Sequence, residues 1–189
     1  MKPFNIYLTG VGGQGIGLIS EIILRAADHD GLPVIGVDTH GLAQRGGIVV
    51  SQIRIGEPAF APIIPAGHAD LVVSLEANEA LRAAATLRDG GALVYYETSW
   101  QPLDVRLGKE KETQKEDLAG YCRSRKITAH PVYQVDLPEA RMQNIAILRE
   151  IDRHNLVPGI GRAAYRRAME DLMAGGMLEK NLALFEALD

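Results

Sequence analysis

The sequence predicts an α/β fold: a mostly parallel sheet of about five to six strands with helices on both faces. Three observations carry that expectation. A short apolar run ends in a cluster of glycines and is followed by a helical apolar pattern and a second apolar run. Further apolar runs then alternate with amphipathic, helix-length stretches. One strand, by contrast, follows its predecessor through a polar loop with no helix between them. At 189 residues the chain suits one full hydrophobic core, and no repeat, linker or boundary is visible, so residues 1–189 are expected to form one domain.

In chain order, Phe4 to Thr9 is rich in β-branched and aromatic residues and is stopped by Gly10, which marks a strand. Gly10, Gly12 and Gly15 satisfy GxGxxG, with Gly13 and Gly17 added. Such a turn lets the backbone bend tightly, admits a phosphate and aims free N–H groups from the next helix start. A helix is expected from about Gln14 to His29, with Ile16, Ile19, Ile23, Ala26 and Ala27 on its apolar side, ended by Gly31 and Pro33. Val34 to Val37 is the next strand, closed by Asp38, 23 residues after Gly15. In a Rossmann-like unit an acid at about that distance holds ribose hydroxyls. Two readings stay open on these residues: a bound nucleotide or phosphate, or a tight strand-to-helix turn with Asp38 capping a loop.

The loop after Asp38, THGLAQRGG, leads into IVVSQIRIG, whose period-two alternation marks a strand from Gly47 to Ile55. His40, Gln44 and Arg45 stand between Gly41 and the pair Gly46 and Gly47, and could hydrogen-bond an anion or a partner backbone. Both polar loops are expected on the carboxyl edge of the sheet, in one site or one interface. Glu57 to His68, with three prolines, is an extended crossover. Asp70 to Leu75 is a buried strand. Glu76 at its end either faces the crevice or caps the alanine-rich helix Ala77 to Arg88. Gly91 to Tyr96 is the next strand. Asp104 to Asp117 is a charged, exposed excursion with a short helix after it, and Ile127 to Ala129 is a last strand before a polar connection at His130-Pro131. Pro138 opens a helix to about His154, with Asn144 inside it as a buried joint or a polar-face residue. Helices Arg162 to Ala174 and Leu178 to Leu188, separated by Gly175-Gly176, close the chain.

Composition narrows the function. Net charge is −4 and aromatics are 5% of residues, which argues against nucleic acid as a partner. No apolar stretch approaches the ~18 residues of a membrane span. MKPFNIYLTG reads as a first strand and not a signal peptide, so a cytoplasmic location is expected. Cys122, the sole cysteine, can form no intrachain disulfide and cannot supply the four ligands of an iron–sulfur cluster; it is expected to be a semi-buried helix residue. There is no GxSxG, CxxC, HExxH or GxxxxGK[ST] pattern. The GDG…N pattern that holds Mg²⁺ and thiamine diphosphate is absent too, Asp89-Gly90-Gly91 reading as a helix-to-strand turn. The histidines at 29, 40, 68, 130 and 154 show no metal spacing, so no metal ligand is assigned. No nucleophile stands beside an obvious base, and no catalytic residue is assigned. The chain looks like a binding half that needs other chains to do chemistry.

Taken together, GVGGQGIGLISEIILRAA, DTHGLAQRGGIVVSQIRIG and ADLVVSLEANEALR resemble the gamma subunit or domain of the 2-oxoacid:ferredoxin oxidoreductases. The HGLAQRGG form is most similar to the small (beta) subunit of the indolepyruvate enzymes. The resemblance spans nearly the whole chain, including Asn144 in NIAILREI and Asn181 in LEKNLALFEAL. It implies an accessory subunit in CoA-dependent oxidative decarboxylation of a 2-oxoacid. Thiamine diphosphate, Mg²⁺ and iron–sulfur clusters would lie on a partner subunit, ferredoxin would be reached through that subunit, and coenzyme A would be a shared substrate. No tightly bound cofactor is expected in this chain, and a homodimer is left open. By position, Gly12, Gly13, Gln14 and Gly15 would form the turn at the site edge, and His40, Gln44, Arg45 and Ser51 the polar loop and strand facing it. Two features depart from the family pattern: Arg149-Glu150 after NIAIL, and the charged excursion from Lys109 to Lys115. Two other functions fit the residues without the resemblance: a free-standing nucleotide-binding enzyme using NAD or a flavin, and a non-enzymatic module for an acyl-CoA or other anion.

Overall fold

The computed structural model describes residues 2–39, 47–57, 61–98 and 115–187. Its strands are β1 Phe4–Val11, β2 Val34–Thr39, β3 Ile48–Ile55, β4 Ala69–Ser74, β5 Leu87–Tyr96 and β6 Thr128–Val132. Its helices are α1 Ile16–His29, α2 Ala77–Ala84, α3 Lys115–Ser124, α4 Gln143–Arg153, α5 Arg162–Leu172 and α6 Gly175–Glu186. The strands form one sheet in the order β2-β3-β1-β4-β5-β6. β1, β4, β5 and β6 are parallel, whereas β3 lies antiparallel between β1 and β2. This is an α/β fold in three layers, and the strand that lacked a preceding helix is the one that runs backwards.

Alternation along the strands divides the core between the two faces. Val94 and Tyr96 point into one hydrophobic cluster, with α1, α4, α5 and α6; Leu93 and Tyr95 point into the other, with α2 and α3. Helix α1 buries Ile16, Ile19, Ile23, Ala26 and Ala27, the face its apolar spacing predicts, and Ile22 beside them. It ends where Gly31 turns left-handed (φ +69°) and the Leu32 N–H reaches back to the Ala27 carbonyl at 2.9 Å. Beneath α1, β3 contributes Ile53 and Ile55 to the first cluster. On the other side of β3 the proline-rich segment is tied on by side chains. The Ile64 N–H donates to Gln52 Oε1 at 2.7 Å, and Arg54 donates to the Ala61 carbonyl at 2.8 Å.

Several boundaries move for physical reasons. β1 continues through Gly10 and Val11 because these pair with Val49 and Ile48. α1 starts at Ile16, since Gly15 is left-handed (φ 89°, ψ 29°) and stands outside the helix. α2 stops at Ala84 rather than Arg88: Leu87 already pairs with Ala69, and an irregular register then brings Ala92 opposite Leu71. Asp89-Gly90-Gly91 is therefore part of β5 and not a turn before it. β6 runs through His130 and Pro131, which stay in the strand because β6 is an edge strand, where a missing N–H costs little. Pro138 does not open a helix, because Glu139 is extended (φ −142°, ψ 138°) and a 3-10 turn, Ala140–Met142, precedes α4. Gly175 and Gly176 form the first turn of α6 rather than a separator. Asn144 is buried, and Cys122 is buried in α3, where its low-dielectric surroundings push the thiol pKa up. Among the described residues no helix is long and apolar enough to cross a membrane. The charged excursion up to residue 114 lies outside the described residues.

Candidate functional site

The strand order places β1 beside β4, while the helices that follow them cover opposite faces: α1 packs in one cluster and α2 in the other. Strand ends that part in this way leave a crevice at the carboxyl edge, the usual place for a ligand in an open α/β sheet. The glycine turn from Gly10 to Gly15 sits at this edge. The Gly12 N–H donates to the Gly47 carbonyl at 2.9 Å, so the turn is joined to the far end of the polar loop. The glycine turn and the described end of the polar loop, Gly47, thus share one edge. His40, Gln44, Arg45 and Gly46 themselves lie outside the described residues.

Within the turn, Gln14 folds back. Its Oε1 accepts the Val11 N–H at 2.7 Å, and its own N–H donates to the Val11 carbonyl at 3.1 Å. A Cβ on Gly10 would stand 2.8 Å from that Oε1, so the fold-back needs glycine there. Gly15 has two reasons to be glycine: its positive φ, and Asn144, whose side-chain amide occupies the space a Cβ would take. Asn144 Nδ2 donates to the Gly15 carbonyl at 3.4 Å, and its Oδ1 accepts the Ile145 N–H at 2.8 Å, joining α4 to the start of α1. No side chain caps α1, and no acid stands in its first turn, so the electropositive end of the helix faces this edge unneutralised.

Beside the turn lies a cavity of about 330 Å³. Gly13 and Gly15, Leu18 of α1, Asn144 of α4 and Asn181 of α6 line it, so the two asparagines singled out in the sequence share one wall. Arg141 and Lys180 also line it, and both bind Glu139, at 3.0 and 3.3 Å. Arg141 first and then Lys180 hold the Glu139 carboxyl below the usual carboxylate range. Two cations against one carboxylate leave the cavity wall net positive, which suits an anionic ligand. Arg141 and Lys180 were not singled out in the sequence, where each is one charge among many.

The other predicted residues divide between the two faces. Asp38 Oδ1 accepts from Ser20 Oγ at 3.3 Å, tying β2 to α1. Ser51, opposite both Leu8 and Asp38, is fully buried, and its hydroxyl has no hydrogen-bond partner among the described residues. Glu76 caps α2, its carboxylate accepting the N–H groups of Asn78 and Glu79. Beside it Glu79 is also buried and meets Thr9 Oγ1 at 3.5 Å and Arg82 at 3.5 Å. Burial raises the Glu79 pKa and the neighbouring Glu76 charge adds to the rise, while Arg82 and Thr9 oppose it. Sequence reasoning missed Glu79, which reads as an ordinary first-turn acid of a helix.

A model of the family described as "Pyruvate ferredoxin/flavodoxin oxidoreductase" matches residues 5–187. The chain belongs to this pyruvate ferredoxin/flavodoxin oxidoreductase family. Within it, the chain is 39% identical over 135 residues to an indolepyruvate oxidoreductase subunit IorB of Archaeoglobus fulgidus, a match covering 71% of this chain and 67% of that relative. The subunit IorB of Methanothermobacter thermautotrophicus is 46% identical over 91 residues, 48% of this chain and 46% of that one. A third, from Thermococcus kodakarensis, is 38% identical over 108 residues, 57% of this chain and 54% of its own. The chain thus spans about half to two thirds of the curated relatives it matches. Solved structures share the family fold. The gamma subunit of a keto/oxoacid ferredoxin oxidoreductase from Geobacter sulfurreducens aligns with TM-score 0.67 and 20% identity, over 97% of this chain and 94% of that one. A 2-oxoglutarate:ferredoxin oxidoreductase from Magnetococcus marinus, solved with 2-oxoglutarate, coenzyme A and succinyl-CoA, aligns with TM-score 0.72 and 18% identity, over 98% of this chain and 30% of that one.

Proposed function

We propose that this chain is the accessory, gamma-type subunit of a 2-oxoacid:ferredoxin oxidoreductase acting on indolepyruvate or a related arylpyruvate, with residues 1–189 forming one domain of that type. The observation that carries the reading is the 39% identity over 135 residues with an indolepyruvate oxidoreductase subunit. The assembly would work in the cytoplasm and convert a 2-oxoacid and coenzyme A to an acyl-CoA and carbon dioxide, passing electrons to ferredoxin.

This chain's part is binding and positioning. The turn from Gly12 to Gly15 spends the Gly12 and Gln14 N–H groups on Gly47 and Val11, so the anion-favouring feature of this edge is the uncapped, electropositive start of α1. Arg45, in the loop that also carries His40, Gln44, Gly46 and Gly47 and leads into Ser51 of β3, would add a guanidinium fork that matches phosphate oxygens of coenzyme A. Arg141 and Lys180, both paired with Glu139, add two cations to the wall of the neighbouring cavity. The donor set does not fit an iron–sulfur cluster, because the one cysteine, Cys122, is buried in α3 and a cluster usually takes four thiolates. The clusters would therefore lie on a partner subunit, and the resemblance puts thiamine diphosphate, which supplies carbanion stabilisation when bound, there too.

Affinity purification of the chain from its native cell at low salt tests the reading. The expected result is co-elution of a large chain carrying GDG…N and clustered cysteines, and arylpyruvate- and CoA-dependent reduction of ferredoxin by the pair. A chain that elutes alone and binds NAD or a flavin would overturn it.

A further inference from the structure

We propose that His130, Glu150 and His154 form a binding site for a divalent transition-metal ion of the zinc class, at the edge of the sheet opposite the glycine turn. The three come from two elements. His130 stands in β6, and Glu150 and His154 are one turn apart at the end of α4. Their ligand atoms all lie within 4.8 Å of one another. Glu150 Oε1 is 2.8 Å from His154 Nε2 and 3.9 Å from His130 Nδ1. Tetrahedral ligands about 2.0–2.1 Å from zinc stand roughly 3.4 Å apart, so these separations bracket the required value. Small rotations of the side chains, without backbone movement, would close the set.

The chemistry fits as well as the spacing. Two imidazoles and one carboxylate are a ligand set that zinc takes with its fourth position left for water. A cavity of about 320 Å³ lined by both histidines provides that open side. His130 and Glu150 are largely shielded, with side chains 15% and 19% exposed, while His154 at 43% faces solvent and gives access. His154 is also the C-cap of α4, so the negative end of the helix dipole lies at the site and favours a cation. Arg88, which also lines this cavity, is held by Asp70 at 2.6 Å. Glu150 supplies the carboxylate that sits between the histidines.

The site does not depend on the proposed function and is tested apart from it. The full chain without an affinity tag is titrated with Co²⁺, followed by the visible bands of low-coordinate Co²⁺, and then with Zn²⁺ in competition. One Co²⁺ per chain, displaced by Zn²⁺, is expected. His154→Ala, at the exposed helix end where folding is not at stake, should weaken binding by roughly tenfold or more, since even outer-shell partners of metal ligands are worth about 10–100-fold. Glu150→Gln should do likewise. His29→Ala, which removes a histidine paired with an acid elsewhere in the fold, Asp171 at 2.8 Å, should leave binding unchanged. The proposal is overturned if no stoichiometric Co²⁺ binds, if His154→Ala binds as tightly as the parent, or if His29→Ala weakens binding equally.

Discussion

Replacing Gly15 by alanine puts a methyl group where the Asn144 amide already stands, and does so on a backbone that other residues avoid. The left-handed conformation alone costs a non-glycine residue roughly 1–2 kcal/mol. Asn144 must then move. It is only 4% exposed, and its displacement strands the Ile145 N–H, while the Gly15 carbonyl keeps the Ile19 N–H at 3.2 Å; leaving such a buried group unsatisfied costs about 1–3 kcal/mol. The expected loss is therefore about 2–5 kcal/mol, a fall of about 1–2 M in the urea midpoint for slopes of a few kcal/mol per molar. Gly13→Ala is the matched control, because Gly13 has a positive φ but nothing within 4 Å of its missing Cβ. It should lose only the conformational part, about 1–2 kcal/mol. Urea unfolding of both variants, and of Gly15→Ala combined with Asn144→Ala, measures the difference directly. If Gly15→Ala costs no more than Gly13→Ala, or if removing Asn144 relieves nothing, the account of the α1–α4 joint is wrong.

The remaining expectations are shorter. Glu76→Ala removes the cap of α2 and should cost about 1–2 kcal/mol, read as a fall of a few degrees in thermal midpoint, with Glu76→Gln losing less; equal losses would mean that the cap is not the cause. Glu79 has a folded-state pKa raised above its ordinary value of 4.5. The folded state therefore holds this proton more tightly, a contribution present in full below 4.5 and lost as pH rises through the folded value. Glu79→Gln cannot ionise, so its thermal midpoint should gain on the parent as pH is raised from about 4 to about 7; parallel curves would refute the shift. Cys122, buried and raised in pKa, should resist aromatic disulfide reagents in the native chain and react once per chain after unfolding; fast native labelling would place it at the surface.

Legibility in the sequence followed the reach of each signal. The period of α1 and the alternation of β3 are local, and both elements appear within a residue or two of where the pattern puts them. Glu76 was readable as a cap because it directly precedes an alanine-rich helix. β5 was misjudged at its start because LRAAATLRD continues a helical pattern, and only pairing of Leu87 with Ala69 ends it. Pro131 signalled a loop, and only its edge position lets it remain in a strand. The cavity beside the glycine turn depends on the 3-10 turn and α6 arriving together, which no spacing encodes. His130 and His154 are far apart in the chain and meet because β6 and α4 pack against each other.

Pro131 has a consequence for the sheet's two open borders. Among the described residues, every strand but β2 and β6 is flanked on both sides. An unflanked strand is a template on which another chain can extend the sheet, and natural proteins interrupt such templates with proline. β6 carries that interruption in its own sequence. β2, reading VIGVDT, has none, so of the two borders it is the one that offers an incoming strand an unbroken ladder of backbone donors and acceptors.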